Sequence, residues 1–147
     1  MVPRCPSGYD RIVVGDSSSN ESAQSHVVAA VDDDFRVRES IESLVASAGH
    51  TPLVFASAEE FLQSGAPELA ICLITDVRMP GIDGLELQRR LKLQYPRLPV
   101  IFVTAHYDDE IRRRALNQGA AAFLYKPFDA ADLLGAIDLA LGTPPED

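Results

Sequence analysis

Five residues of this 147-residue chain could do chemistry together, because each stands where an apolar run stops. Asp32 and Asp33 follow Val27 to Val31, Asp76 follows Ala70 to Thr75, Thr104 follows Pro99 to Val103, and Lys126 follows Ala121 to Tyr125. Short apolar runs bounded by polar segments read as strands covered on both faces. In an open parallel sheet the carboxyl ends of such strands share one edge, and ligands bind in the crevice there. Three carboxylates crowded into one cleft repel each other unless a cation neutralises them. Hard oxygen donors with few protein contacts suit Mg2+, which keeps several of its waters. A carboxylate in that setting can also be a nucleophile that forms an aspartyl phosphate. A transferring phosphoryl group needs cations and donors in place beforehand. Lys126 can pair with one of its oxygens and Thr104 can hydrogen-bond another.

The segments between these runs carry helical spacing. Val37, Ile41, Leu44, Val45 and Ala48 recur on one face, and Gly49 follows as a stop. Thr51 to Phe55 is strand-like. Ser57 with Glu60 three residues on gives a capping-box pattern ahead of Ala58, Phe61 and Leu62. After Asp76, Pro80, Gly81 and Gly84 predict a loop with turn geometry, and Asp83 a cap for a helix carrying Leu87, Leu91 and Tyr95. A charged helix with Ile111, Ala115 and Leu116 stops at Gly119. Asp129 caps a last helix with Leu133, Leu134, Ile137 and Leu141. Five strand–helix units in strict alternation predict an α/β fold, a parallel sheet with helices on both faces.

Composition sets the surroundings. Residues 1–26 hold Pro3, Pro6, Gly8, Gly15 and a polar tract from Ser17 to Ser22, and read as a flexible lead to a single domain over 27–142. Residues 143–147 read as a short tail, with no output domain expected. The hydrophobic fraction of 46% can build a core, while 22 acidic against 13 basic residues give a net charge of −9. That balance argues against direct binding to nucleic acid or membrane. Cys5 and Cys72 make no disulfide framework, and Cys72 reads as a small buried hydrophobe. Neither a membrane span nor a signal-peptide core is present, so the expected location is cytoplasmic.

Four motifs now stand in order: Val31-Asp32-Asp33-Asp34, Asp76-Val77-Arg78-Met79-Pro80-Gly81-Ile82-Asp83-Gly84, Val103-Thr104-Ala105-His106 and Tyr125-Lys126-Pro127-Phe128. Here the sequence resembles the CheY-like receiver domains of bacterial two-component systems, over roughly residues 27–142. Asp-Val-Arg-Met-Pro and Thr-Ala-His resemble the branch whose members often carry a helix-turn-helix output. The resemblance implies a flavodoxin-like sheet of order 2-1-3-4-5 and a phosphoacceptor role for Asp76. It implies Mg2+ (or Mn2+) held by Asp33, Asp76 and the Arg78 backbone carbonyl, with Asp32 acting through a bound water. Thr104 would be the switch hydroxyl and Lys126 the phosphate-contacting lysine, followed by a cis bond to Pro127. Asp34 takes the family's variable position, which sets Arg38 where an arginine is common. Phe123 takes the aromatic switch position without the hydroxyl of the tyrosine often found there. Arg78 and His106 are candidates for tuning hydrolysis of the acyl phosphate.

Each residue alone has an ordinary reading. The three aspartates could be a solvated turn, Asp76 a cap, Thr104 a strand-end hydroxyl, and Lys126 a surface lysine. Arg112-Arg113-Arg114 reads as a solvated helix face. Joint placement at strand ends is what defeats the separate readings. The function expected is a signalling switch rather than a turnover enzyme. A sensor histidine kinase phosphorylates Asp76, and the surface of the helix after the fourth strand, the fifth strand and the last helix changes toward a homodimer or a downstream protein. A phosphohydrolase would place an acid two residues past its nucleophile, where Arg78 stands and cannot serve. A flavin-binding protein would need a Ser/Thr/Gly-rich phosphate loop after the first strand, which is missing. The remaining alternative is a receiver-like interaction module that works without phosphorylation.

Overall fold

The computed structural model describes residues 26–142; the expected lead (bar His26) and the tail at 143–147 lie outside the described residues. The elements run β1 (Val27–Val31), α1 (Phe35–Ser47), β2 (Thr51–Phe55), α2 (Ala58–Gln63), α3 (Ala66–Leu69), β3 (Ala70–Thr75), α4 (Gly84–Gln94), β4 (Val100–Thr104), α5 (Asp109–Asn117), β5 (Ala122–Tyr125) and α6 (Ala130–Ala140). All strand pairs are parallel, in the order β2-β1-β3-β4-β5. This is the α/β architecture and strand order expected.

Strand side chains alternate between two cores. Ala29, Val31, Leu73 and Phe102 face a cluster with Phe61 of α2, Ala66 of α3, Leu87 and Leu91 of α4 and Ala115 of α5. Val28, Ala30, Cys72, Ile74, Ile101 and Val103 face the other, with Ile41 and Val45 of α1 and Leu133 and Ile137 of α6. Burying each large apolar side chain contributes about 1.5–3 kcal/mol relative to leaving it exposed, which is why the central strands read as unbroken apolar runs. Pro52 is tolerated because β2 lies at the sheet edge. Burial pushes the Cys72 thiol up to about 12, so it behaves as the small hydrophobe expected.

Aspartates start four of the helices that leave the carboxyl edge. Asp34, Asp83, Asp108 and Asp129 each accept a backbone N–H of the following turn, and Asp129 forms a capping box with Asp132. Several details differ from the expectations. The alternation is not strict, since the four-residue helix α3 precedes β3 and is too short to show a period. β4 begins at Val100 and β5 at Ala122, each one residue late, and Thr104 is the last strand residue. Ser57 does cap α2, but Glu60 reaches the N–H of Ala56 rather than that of Ser57, so the box is half formed. Leu116 lies on the exposed side of α5.

Candidate functional site

Sheet register brings the first two carboxylates together. Val31 pairs with Thr75 at the end of β1 and β3, so Asp32 and Asp76 are the next residues on adjacent strands. The N–H of Asp76 donates to the Val31 carbonyl at 3.1 Å, and that of Asp32 to the Phe55 carbonyl at 3.1 Å, so both backbones stay anchored past the strands. Thr104 pairs with Tyr125, and the N–H of Lys126 donates to the Thr104 carbonyl at 2.8 Å. The same register logic therefore sets Lys126 at the edge.

Lys126 Nζ donates to Asp32 Oδ2 at 2.8 Å and to Asp76 Oδ2 at 3.1 Å. Asp32 is fully buried, and its Oδ1 accepts from the N–H of Asp34 at 2.9 Å. Asp76 Oδ1 accepts from the N–H groups of Val77 at 2.7 Å and Arg78 at 3.3 Å. Burial raises the pKa of Asp32 despite the opposing pull of Lys126 and of the Asp34 N–H. Burial pulls Lys126 down, but hydrogen bonds and charge from Asp32 and Asp76 outweigh it and leave its pKa raised.

The donor set fits a hard cation. Asp32, Asp33 and Asp76 each offer a carboxylate oxygen, and these oxygens lie within 4.8 Å of one another. Ligands on opposite sides of one Mg2+ are about 4.2 Å apart, so only a small inward adjustment is needed. Asp33 is exposed, which leaves the cleft open to water and to an incoming group. The Lys126–Pro127 peptide is cis, as the resemblance implies.

Glycine geometry closes the loop that follows Asp76. The N–H of Gly84 donates to the Val77 carbonyl at 2.8 Å. A Cβ on Gly84 would collide with the Asp76 carbonyl oxygen and meet Val77 Cα at 2.9 Å and the Phe102 ring at 3.0 Å. Gly84 is thus a close-approach position and not the turn glycine expected, whereas Gly81 has φ +77° and is one. Arg78 is exposed, and its N–H is tied to the Asp76 carboxylate.

The other predicted residues stand at the rim. Thr104 is buried, and its hydroxyl accepts from the N–H of His106 at 3.1 Å, so it is turned to its own loop rather than to the carboxylates. His106 is exposed. Phe123 is half-buried, with its ring 5.8 Å from Phe102 and edge-on to Tyr125 at 5.5 Å. Tyr125 in turn stacks on Tyr107 at 4.1 Å, a pair not foreseen, since no sequence period relates the two. Arg38 is a further positioning group: its Nη1 donates to the Asp32 carbonyl at 2.7 Å. Only its alignment in the resemblance pointed there.

A parallel sheet of this order with an acidic crevice and a lysine at its carboxyl edge defines a receiver-type module. The model of the response regulator receiver domain family matches residues 28–138, and the chain belongs to that family. It is 43% identical over 126 residues to the transcriptional regulatory protein FixJ of Azorhizobium caulinodans, covering 86% of this chain and 58% of that one. It is 39% identical over 123 residues to nodulation protein W of Bradyrhizobium diazoefficiens, covering 84% and 54%. The chain thus spans little more than half the length of these relatives. Among solved structures, a response regulator receiver domain protein from Clostridium thermocellum superposes with a TM-score of 0.75 at 29% identity, over 80% of this chain and 94% of that one. Among the described residues no helix is long and apolar enough to cross a membrane.

Proposed function

We propose that the chain is the phosphoacceptor switch of a two-component system. The carrying observation is the convergence of Asp32, Asp33 and Asp76 with the Lys126 ammonium, 2.8 and 3.1 Å from two of those carboxylates. The acting unit is residues 27–142, and its setting is cytoplasmic. An Asp76 carboxylate oxygen attacks the phosphorus of a phosphohistidine on a sensor histidine kinase. The P–N bond breaks, and the imidazole leaves with a proton. Asp33, Asp76 and the Arg78 carbonyl would hold Mg2+ (or Mn2+) directly and Asp32 through water; the ion supplies charge to the phosphoryl oxygens. Lys126 holds another oxygen.

The new phosphoryl group brings a charge of about −1.5 to −2 at pH 7. Thr104 then exchanges its bond from the His106 amide for one to the phosphoryl oxygen, vacating space that Phe123 can fill. The face of α5, β5 and α6 changes, favouring a homodimer or a downstream protein. His106 and Arg78, both exposed at the rim, set how readily water reaches the acyl phosphate. Transcription control, carried in the FixJ name, would reach DNA through a partner or further segment, not through this acidic unit.

Intact mass after incubation with Mg2+ and acetyl phosphate tests this. The native chain gains one phosphoryl adduct that requires Mg2+, and Asp76→Asn gains none. No adduct and no Mg2+ binding would leave a phosphorylation-independent interaction module.

A further inference from the structure

Glu59 on α2 is 23 residues from Ile82 in sequence, yet its Oε2 accepts the Ile82 N–H at 3.2 Å. The same oxygen fills the space that a Cβ on Gly81 would need. Gly81 has φ +77°, a conformation that itself favours glycine. Two independent features of the turn, its backbone twist and its missing side chain, therefore accommodate one carboxylate from another element. The ordinary reading of Glu59 is a first-turn acid that stabilises the helix N-terminus. That role asks only for an acid facing solvent. Its neighbour Glu60 plays it, bonding the local Ala56 N–H.

The segment that Glu59 grips runs from Asp76 to Gly84. Its two ends are fixed at the sheet: Asp76 Oδ1 takes the amides of Val77 and Arg78, and Gly84 closes onto Val77. Its crest, Gly81-Ile82, is fixed by the Glu59 carboxylate. The geometry points to Glu59 as a positioning residue for the cation site: by holding the crest it sets the loop backbone at Arg78, and hence the carbonyl available to Mg2+. This rests on the phosphoacceptor reading. Groups that orient metal ligands without touching the metal commonly change affinity by about 10–100-fold when removed.

The test is calorimetric titration of the full chain with Mg2+, run beside phosphoryl-adduct rates and thermal melts. Glu59→Asp keeps the charge but is one methylene too short to reach Ile82, and binds Mg2+ about tenfold or more weakly. Glu59→Gln keeps an oxygen acceptor at full reach and restores most of the affinity. Glu60→Ala loses the helix-end bond alone and binds Mg2+ as the native chain does, even where it melts lower. Native-like Mg2+ affinity in Glu59→Asp would overturn the inference while leaving the phosphoacceptor reading intact. Equal losses in Glu59→Asp, Glu59→Gln and Glu60→Ala would also overturn it, because the effect would then follow helix stability. A native chain that binds no Mg2+ would instead strike the phosphoacceptor reading on which the inference rests.

Discussion

The carboxyl edge of the sheet has two unlike halves. On the β1–β3 side, both oxygens of Asp32 and of Asp76 have partners, the Asp32 carbonyl is clamped by Arg38, and the loop after Asp76 is tied at its ends and its crest. On the β4–β5 side, the Thr104 hydroxyl has one amide, His106 is exposed, and Tyr107 is 73% exposed above Tyr125. Lys126 is the link, anchored on β5 and bonded to carboxylates of β1 and β3. The proposed chemistry, which must hold a cation and an acceptor in fixed geometry, would use the over-determined half. The half with few bonds is the one that can rearrange at small free-energy cost.

The sharpest break in this contrast is Asp76→Asn, which should abolish the adduct while leaving the fold intact by circular dichroism. Phe102→Ala comes next. Phe102 underlies both halves, meeting Phe123 on one side and Gly84 on the other, so its loss should cost about 3–5 kcal/mol in urea melts. Lys126→Met removes the link and leaves Asp32 buried without its cation. It should cost about 1–3 kcal/mol without Mg2+ and much less with it, read from melts in each condition. Thr104→Ala should still take the phosphoryl group but lose the change in tyrosine fluorescence expected from the Tyr107–Tyr125 stack. A native-sized change would erase the distinction between halves.

The smallest effect lies outside both. Arg89 and Arg90 hydrogen-bond Glu86 and hold its carboxyl down at about 2. A lowered folded-state pKa adds stability that is full above the ordinary carboxylate range and lost as pH falls toward 2. Glu86→Gln should therefore lower the melting temperature slightly at pH 7, not at pH 2, and high salt should erase the difference, since both arginines are exposed and Glu86 is only partly covered.

Residues at strand ends were legible in the sequence in both halves, Thr104 and Lys126 as much as the aspartates. A strand ending in an aspartate fixes both backbone and side chain, so Asp32 and Asp76 could be placed from the apolar runs alone. Helix caps at Asp83 and Asp129 were legible because a cap acts within four residues. Contacts between elements were not. Glu59 with Ile82, Arg38 with Asp32, and Tyr107 with Tyr125 depend on loop paths that no period encodes. Gly84 was misread for the same reason: its crowding comes first from the backbone of Asp76 and Val77, onto which the loop folds back, and then from the Phe102 ring. Helix α3 escaped because four residues complete barely one turn.

The pairing of Val31 with Thr75 also acts as an inspection step. Slipping β1 against β3 by one residue would turn every side chain to the wrong face. Slipping by two keeps the faces but carries Asp32 about 6.6 Å along the strand, out of reach of Asp76 and Lys126. If the proposed function holds, a chain so misassembled would bind no cation and accept no phosphoryl group. On the proposed reading, this slip would leave the switch mute rather than fixed in its signalling state.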